Sequence, residues 1–163
     1  MDMAPVHVLV FPWPAQGHIN SMPHLAAGLL DAGLHVTFLH TEHNLRRLNR
    51  AAADDASPTR RLRFMSLPDG LPDDNSRAEA DQMDLAESLL STGAVAYRAL
   101  LVSLLSAETG NHADTIGLVT CVVADGVLPF AIDVAEGLGV PAFAFRTASA
   151  CSFLAYLSVP KLL

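Results

Sequence analysis

The chain has 163 residues, of which 51% are hydrophobic and 17% charged, so it can bury the core of one folded domain. Its net charge is −7, and its densest basic stretch, LRRLNR at 45–50, stands directly before the acidic AAADDA. This balance argues against a nucleic-acid partner, and the lack of an uninterrupted apolar run of about 18 residues predicts no membrane span.

The first strand and helix are predicted near the N-terminus. VHVLVF at 6–11 is a continuous, β-branched apolar run, typical of a strand covered on both faces. The acidic second residue and this early strand pattern predict no signal peptide. A helix follows, with Asn20 or Ser21 as its cap, Pro23 in its first turn and Gly33 at its end.

The next elements repeat this alternation. A second strand is predicted at 34–40, and Thr41 can cap the helix EHNLRRLNRAAA at 42–53. RLRFMSL at 61–67 predicts a third strand, which the turn-rich PDGLPDD at 68–74 ends.

The second half of the chain continues in the same way. A long helical region is predicted at about 78–107, weakened at Gly93. The remaining elements are a strand at 117–124, a helix at 126–139 with Pro129 in its first turn, a strand at 140–145 and a helix with Thr147 as candidate cap. We find no internal repeat and no linker, so residues 1–163 are predicted to form one domain. Strands alternating with helices predict a doubly wound, parallel α/β sheet, and right-handed crossovers favour the strand order 3-2-1-4-5.

This strand order brings two chemistry-bearing residues together. His18 follows the first strand in FPWPAQGHIN, and Asp125 follows the fourth strand in VVADG. Open parallel sheets bind ligands at the carboxyl ends of their strands, where the strand order reverses, and neighbouring strands are about 4.8 Å apart. An aspartate that accepts from one imidazole nitrogen leaves the other nitrogen as a base and stabilises the imidazolium. The sequence therefore predicts an Asp–His pair for general base catalysis.

Plainer interpretations of these residues stay open. A histidine in a turn is often structural or solvated, and Asp125 is also well placed to cap the following helix. The chain has no G-x-G-x-x-G, no P-loop and no G-x-S-x-G elbow. His35, His40 and His43 have no carboxylate or cysteine at ligand spacing, so no metal site is predicted. Cys121 and Cys151 suit a reducing compartment, which predicts a cytoplasmic protein without a disulfide.

Five segments in the same order carry a resemblance to a known family. They are PAQGHIN, HVTFLHTEHNLRRL, FMSLPDGLP, CVVADGVLPFAIDVAEGLGVP and TASACSFLAYL. Across essentially its whole length, the chain resembles the N-terminal half of the plant family 1 UDP-sugar-dependent glycosyltransferases of secondary metabolism. TEHNLRRL and LPDGLP are most similar to the subgroup that contains cyanohydrin and iridoid glucosyltransferases.

The resemblance implies a fold and a reaction. The fold is the Rossmann-like, acceptor-binding domain of a GT-B enzyme, incomplete over 1–163 and without its C-terminal UDP-sugar-binding domain. The reaction transfers a hexose, expected to be glucose, to a hydroxyl of a small lipophilic acceptor with inversion. His18 is implied as the base, Asp125 as its support and Thr147 as a contact to the donor sugar, while the backbone at Gly17 borders donor or acceptor. The UDP-sugar is a co-substrate, and no cofactor is expected.

Two residues depart from the family pattern, and one signature is missing. Arg146 stands where the family has an aromatic residue, so it either binds an anionic group or disturbs sugar packing, and Ser21 replaces a proline. The only tryptophan is Trp13, so the tryptophan-rich donor-binding signature is absent. We therefore expect a fragment or a truncated gene product. The acceptor pocket is expected near 11–20, 68–92 and after 145.

These observations leave two functions open and argue against a third. The chain is either the acceptor half of a UDP-glycosyltransferase, inactive on its own, or an inactive relative that at most binds a small molecule or a partner. A dinucleotide-binding oxidoreductase is opposed by the missing glycine fingerprint.

Overall fold

The computed structural model describes residues 5–51, 60–78, 81–106 and 117–161. Five strands form one parallel sheet in the order β3-β2-β1-β4-β5, so the predicted doubly wound topology is confirmed. The strands are β1 His7–Phe11, β2 His35–Thr41, β3 Leu62–Leu67, β4 Cys121–Asp125 and β5 Ala142–Phe145.

Helices connect these strands. They are α1 Gln16–Ile19, α2 Met22–Asp31, α3 Glu42–Ala51, α4 Gln82–Ser88, α5 Ala94–Leu105, α6 Pro129–Gly137 and α7 Ala150–Ser158. A π-helical turn, Leu89–Gly93, joins α4 to α5, and a short 3₁₀ turn, Val159–Lys161, follows α7. Parts of two predicted helices lie outside the described residues. These are 52–53 of the helix predicted at 42–53, and 79–80 and 107 of the helical region predicted at about 78–107.

The central strand β1 explains the unbroken apolar run at the N-terminus. All five of its residues are buried, because β1 pairs with β2 on one side and with β4 on the other. Leu9 and Phe11 face a core that α4, α5 and α6 cover. Val8 and Val10 face the opposite layer, which contains Met22 of α2. Alternate residues of one strand therefore stabilise both layers of the domain.

Two helix-end predictions are confirmed by backbone geometry and hydrogen bonds. Gly33 has a φ of 87° after the last turn of α2, a conformation that favours glycine over residues with a Cβ. Thr41 ends β2, and its Oγ1 accepts from the N–H of Asn44 at 3.3 Å. Ser21 occupies the cap position of α2, but its hydroxyl donates to the Gly17 carbonyl at 2.9 Å and caps no N–H.

The prediction that Thr147 caps the last helix is wrong. Ser149 is the cap of α7, where its Oγ accepts from the N–H of Ser152 at 3.1 Å. Ser149 stands one position before the first residue of α7, where the extended backbone of a cap is required. Thr147 lies further back in the loop, and its hydroxyl contacts His18 instead.

The helical region from Gln82 to Leu105 has its irregularity at the predicted position. Its buried residues recur at every fourth position: Leu85, Leu89, Gly93, Tyr97 and Leu101. A regular helix turns by about 100° per residue, so a spacing of four drifts steadily around its surface. The wider π turn at Leu89–Gly93 counters that drift and keeps the buried stripe on the sheet. Glycine fits closely there, because a Cβ at position 93 would lie 2.8 Å from Leu89 Cδ2 and would force that side chain to shift.

The same helical region bears on the membrane prediction. By length and composition, Gln82–Leu105 is able to cross a membrane, which the prediction overlooked because it counted only uninterrupted apolar runs. Leu85, Leu89 and Tyr97 pack in the domain core, as expected of a core helix, and a single such segment is weak evidence for a span. The absence of a membrane span therefore stays a prediction.

Candidate functional site

The turn after β1 ends in one short turn of helix. The carbonyl of Ala15 accepts from the N–H groups of His18 and Ile19, both at 3.0 Å. These bonds place His18 above the carboxyl ends of the strands, with 30% of its side chain exposed. Gly17 is exposed beside it, and no atom lies within 4 Å of the position that a Cβ would occupy there. The backbone at Gly17 is therefore exposed, and its predicted contact with the donor or the acceptor stays a prediction.

His18 and Asp125 form a direct hydrogen bond. The distance from His18 Nδ1 to Asp125 Oδ2 is 2.7 Å, and the carboxyl side chain is only 1% exposed. An ionised carboxylate can only accept, so the bond places the ring proton on Nδ1 and leaves the Nε2 lone pair available. This is the tautomer that a general base requires.

Asp125 has further partners that fix its orientation. Its Oδ1 accepts from the N–H of Val127 at 3.2 Å, and its Oδ2 accepts from the N–H of Trp13 at 3.4 Å. The alternative that Asp125 caps the next helix is wrong, because α6 begins at Pro129 and its cap position is Leu128. Asp125 instead stabilises the turn that leads to that helix, and the same carboxylate holds the imidazole.

Thr147 joins this pair from the end of β5. Its Oγ1 lies 3.1 Å from His18 Nδ1, the nitrogen that also contacts Asp125. The two strands that follow β1 in the sheet order, β4 and β5, therefore each bring one polar side chain to the same edge of the His18 imidazole. The predicted contact between Thr147 and a donor sugar stays a prediction.

Arg146 lies on the surface next to this cluster. Its guanidinium carbon is 5.1 Å from the centre of the Phe153 ring, a cation–π contact. The side chain crosses Gly126, where a Cβ would stand 2.6 Å from Nε. The predicted binding of an anionic group by Arg146 stays a prediction.

A cavity of about 930 Å³ opens at this edge of the sheet. His18 lies on one wall with the rest of the turn at 13–20, and the segment 76–78 with Gln82 forms another. Parts of the predicted segments 11–20 and 68–92 therefore line the cavity, and its role as the acceptor pocket stays a prediction. The wall formed by Asn44, Arg47 and Leu48 of α3 was not predicted, and within the described residues none after 145 lines this cavity.

Trp13 ties two cavity walls together. Its indole Nε1 donates to Gln82 Oε1 at 3.1 Å, while its backbone N–H points at Asp125. On the third wall, the side-chain amide of Asn44 donates to the carbonyl of Pro14 at 2.9 Å. The turn that carries His18 is therefore held from both sides.

The loop after β3 is held by a buried ion pair that sequence reasoning missed. Arg77 donates through Nη2 to Asp69 Oδ1 at 2.8 Å and through Nε to Asp69 Oδ2 at 3.2 Å. The two side chains are 6% and 5% exposed. Arg77 also donates to the carbonyls of Leu71, Pro72 and Asn75. The one available signal was that Arg77 is the only basic residue in PDGLPDDNSR.

Positive charge accumulates near this loop and α3. The pKa of His43 is lowered, first by burial and then by the charge of Arg77, with smaller effects from Arg47 and Arg46. Asp69 opposes this effect. The surroundings of His43 therefore disfavour its protonated form.

The other described histidines are candidate metal ligands by residue type alone. Among the described residues, no three His, Cys, Asp or Glu side chains cluster as metal ligands would. His40 is buried against the rings of Phe38 and Phe64, and burial lowers its pKa to about 4. Cys121 and Cys151 are both free thiols.

Comparisons with known proteins show what the chain as a whole is similar to. The family model described as "Glycosyltransferase, N-terminal domain" matches residues 4–161. The chain is 42% identical over 154 residues to UDP-glycosyltransferase 85A5 of Arabidopsis thaliana, covering 93% of this chain and 30% of that protein. It is 39% identical over 158 residues to 7-deoxyloganetin glucosyltransferase of Gardenia jasminoides, covering 96% and 32%.

A solved structure is similar over the same extent. Os79 from O. sativa, determined in complex with a trichothecene, superposes with a TM-score of 0.71 at 30% identity. The match covers 93% of this chain and 32% of Os79. The chain thus spans about a third of the length of the relatives it matches.

Proposed function

The chain belongs to the glycosyltransferase N-terminal domain family, and from this premise we propose that it is the acceptor-binding half of a UDP-glucose-dependent glycosyltransferase. The resemblance to plant UDP-glycosyltransferases and iridoid glucosyltransferases is confirmed by the sequence matches. The fold is that of the N-terminal part of a GT-B enzyme. The reaction steps and the roles of individual residues that follow are proposed for this chain.

The observation that carries the proposal is the 2.7 Å bond between His18 and Asp125 beside the 930 Å³ cavity. A small acceptor enters this cavity with one hydroxyl at His18 Nε2. The imidazole removes the hydroxyl proton while the oxygen attacks the anomeric carbon of the sugar. The bond from that carbon to the diphosphate breaks, and its electrons leave with UDP. A single displacement inverts the configuration at the anomeric carbon.

Asp125 stabilises the charged form of the base. As His18 takes the proton, the imidazolium faces a carboxylate that is almost completely buried, and this attraction grows as charge develops. The N–H groups of Trp13 and Val127 hold that carboxylate in place. No reorganisation of Asp125 is therefore needed during transfer.

The donor sugar is proposed to approach from the end of β5. Thr147 beside His18, the open backbone at Gly17 and the guanidinium of Arg146 are the groups that reach toward it. UDP is a good leaving group, so the proposal needs neither a cofactor nor a metal ion. We further propose that the protein acts in the cytoplasm. We also propose that the chain is inactive by itself, because the described residues supply no surface for uracil and no binding site for the diphosphate.

A second candidate function is small-molecule binding without transfer. One observation favours it: the described residues already form three walls of a cavity of about 930 Å³. A ligand needs only these walls, whereas transfer also needs a bound donor.

Joining the chain to the donor-binding half of the Arabidopsis relative tests the proposal. Glucose transfer from UDP-glucose to a panel of phenols and alcohols is measured for this chimera and for its His18→Ala variant. Transfer that depends on His18 supports the proposed function. Equal transfer by both proteins would exclude His18 as the base, and acceptor binding without any transfer would favour the second candidate.

A further inference from the structure

Positively charged side chains line the cavity beside His18. Within the described residues, two arginines, Arg47 and Arg77, line it, and no aspartate or glutamate does. This is unexpected in a chain with 17 acidic and 10 basic residues. The distribution of charge therefore differs sharply between the cavity and the rest of the protein.

One of these two arginines is paired with a carboxylate. Arg77 holds Asp69 through two parallel hydrogen bonds. Asp69 is buried, so a ligand in the cavity meets an Arg77 charge that is already balanced.

Arg47 is different. In the part of the chain that the structure describes, no carboxylate lies within 4.0 Å of its guanidinium. The nearby Asp73 is paired with Arg46 at 2.7 Å. Arg47 thus lines the cavity with a guanidinium that none of these carboxylates neutralises.

The position of Arg47 is fixed by its helix. Asn44, Arg47 and Leu48 have the spacing of one helical face and line the cavity together. The bond from Asn44 to Pro14 anchors this face to the turn that carries His18.

We propose that the acceptor carries a carboxylate, which Arg47 binds while the acceptor hydroxyl lies at His18. This inference rests on the proposed function and names its substrate class. A guanidinium pairs with a carboxylate through two parallel N–H···O bonds. Trp13 and Leu48 line the cavity as well and offer apolar surface to the body of such a molecule.

A matched pair of probes tests the proposal on the chain itself. Para-hydroxyphenylpropionate and its amide have nearly the same shape and differ in charge. The single tryptophan, Trp13, lines the cavity, so its fluorescence reports binding of either probe. Because Arg47 is exposed, we expect the carboxylate to bind only about threefold to fivefold more tightly than the amide, with the difference shrinking at high salt.

Variants identify the residue responsible. Arg47→Gln removes the preference and leaves the affinity for the amide within about twofold, and Arg47→Glu reverses it. Arg98→Gln, at an exposed position on α5 that does not line the cavity, keeps the wild-type preference.

The outcomes separate this inference from the proposed function. If both probes bind equally to the wild-type chain, or if Arg47→Gln keeps the preference, the assignment of Arg47 is overturned while acceptor binding stands. If neither probe changes Trp13 fluorescence or binds by calorimetry, both the inference and the cavity's role as an acceptor site are overturned.

Discussion

Asp125 Oδ2 lies 2.7 Å from His18 Nδ1, although 107 positions separate the two residues in sequence. The contact exists because β1 and β4 are neighbours, with Phe11 paired to Ala124 at their carboxyl ends. It connects sheet topology directly to acid–base chemistry and leads to the first two predictions.

Replacing His18 by alanine in a chimera with a donor-binding half should abolish most transfer. We expect a loss of about 10²-fold or more if His18 is the general base, with acceptor affinity nearly unchanged. Steady-state kinetics and Trp13 fluorescence titration measure the two effects. His24→Ala, at an exposed position on α2, is the matched control. Transfer by His18→Ala within about threefold of the parent would remove His18 from the mechanism.

Replacing Asp125 by asparagine should separate its two functions. The amide oxygen can still accept from the Val127 N–H, so the free energy of unfolding should change by only about 1 kcal/mol. The amide N–H₂ favours the imidazole tautomer with its proton on Nε2, so transfer should fall about tenfold or more. Denaturant titration and kinetics check both values. Normal transfer with a clear loss of stability would make Asp125 a purely structural residue.

The chain by itself should not transfer glucose. Thr147 and Gly17 offer a sugar few contacts, which must overcome several kcal/mol of lost translational and rotational freedom. Calorimetry should show no submillimolar binding of UDP-glucose, and a transfer assay should show no product. Any turnover that disappears in His18→Ala would prove this half a sufficient enzyme.

Since Tyr156, Leu154 and Phe143 are 67%, 66% and 59% exposed, size-exclusion chromatography should also show self-association.

Removing Arg77 should destabilise the loop after β3. Arg77→Ala leaves the buried Asp69 carboxylate without its partner, at a cost of about 3–5 kcal/mol. Asp73→Ala breaks an ion pair whose aspartate is 84% exposed and should cost less than about 1 kcal/mol. Urea unfolding of both variants measures the difference. Equal, small effects would show that the pair does not hold the loop.

His40 should make stability depend on pH. Its pKa falls from 6.5 in the unfolded chain to about 4 in the folded one, so the unfolded state binds more protons between these values. Stability from this residue is therefore full above pH 6.5 and falls by about 3 kcal/mol as the pH drops to about 4. Denaturant unfolding across this range, compared with His40→Leu, isolates the effect. Parallel pH profiles for the two proteins would contradict it.

The sheet was predictable because its signals are local. Continuous apolar runs, such as 6–11, mark strands buried on both faces, and the crossover rule then orders them. That order alone placed His18 beside Asp125. The π turn was predictable only as a weakness at Gly93, because its form depends on how Leu85 and Tyr97 meet the sheet.

Other parts of the site depend on contacts that the sequence does not display. The sequence predicted Thr147 as a helix cap, because a cap is recognised from the residues next to it. The contact between Thr147 and His18 joins residues that are far apart in the chain, so the local sequence does not indicate it. The Arg77–Asp69 pair and the α3 wall with Arg47 depend on how a loop folds back over the strand ends. Such tertiary contacts leave almost no local pattern.

The pairing of β1 with β4 also determines when the fold can form. Val8 pairs with Cys121, so the innermost strand keeps one edge unpaired until more than a hundred further residues have left the ribosome. An apolar strand with an open edge is prone to join other chains, and closing so long a loop slows folding. Aggregation during synthesis is thus a hazard of this topology, and protection of β1 by a chaperone would relieve it.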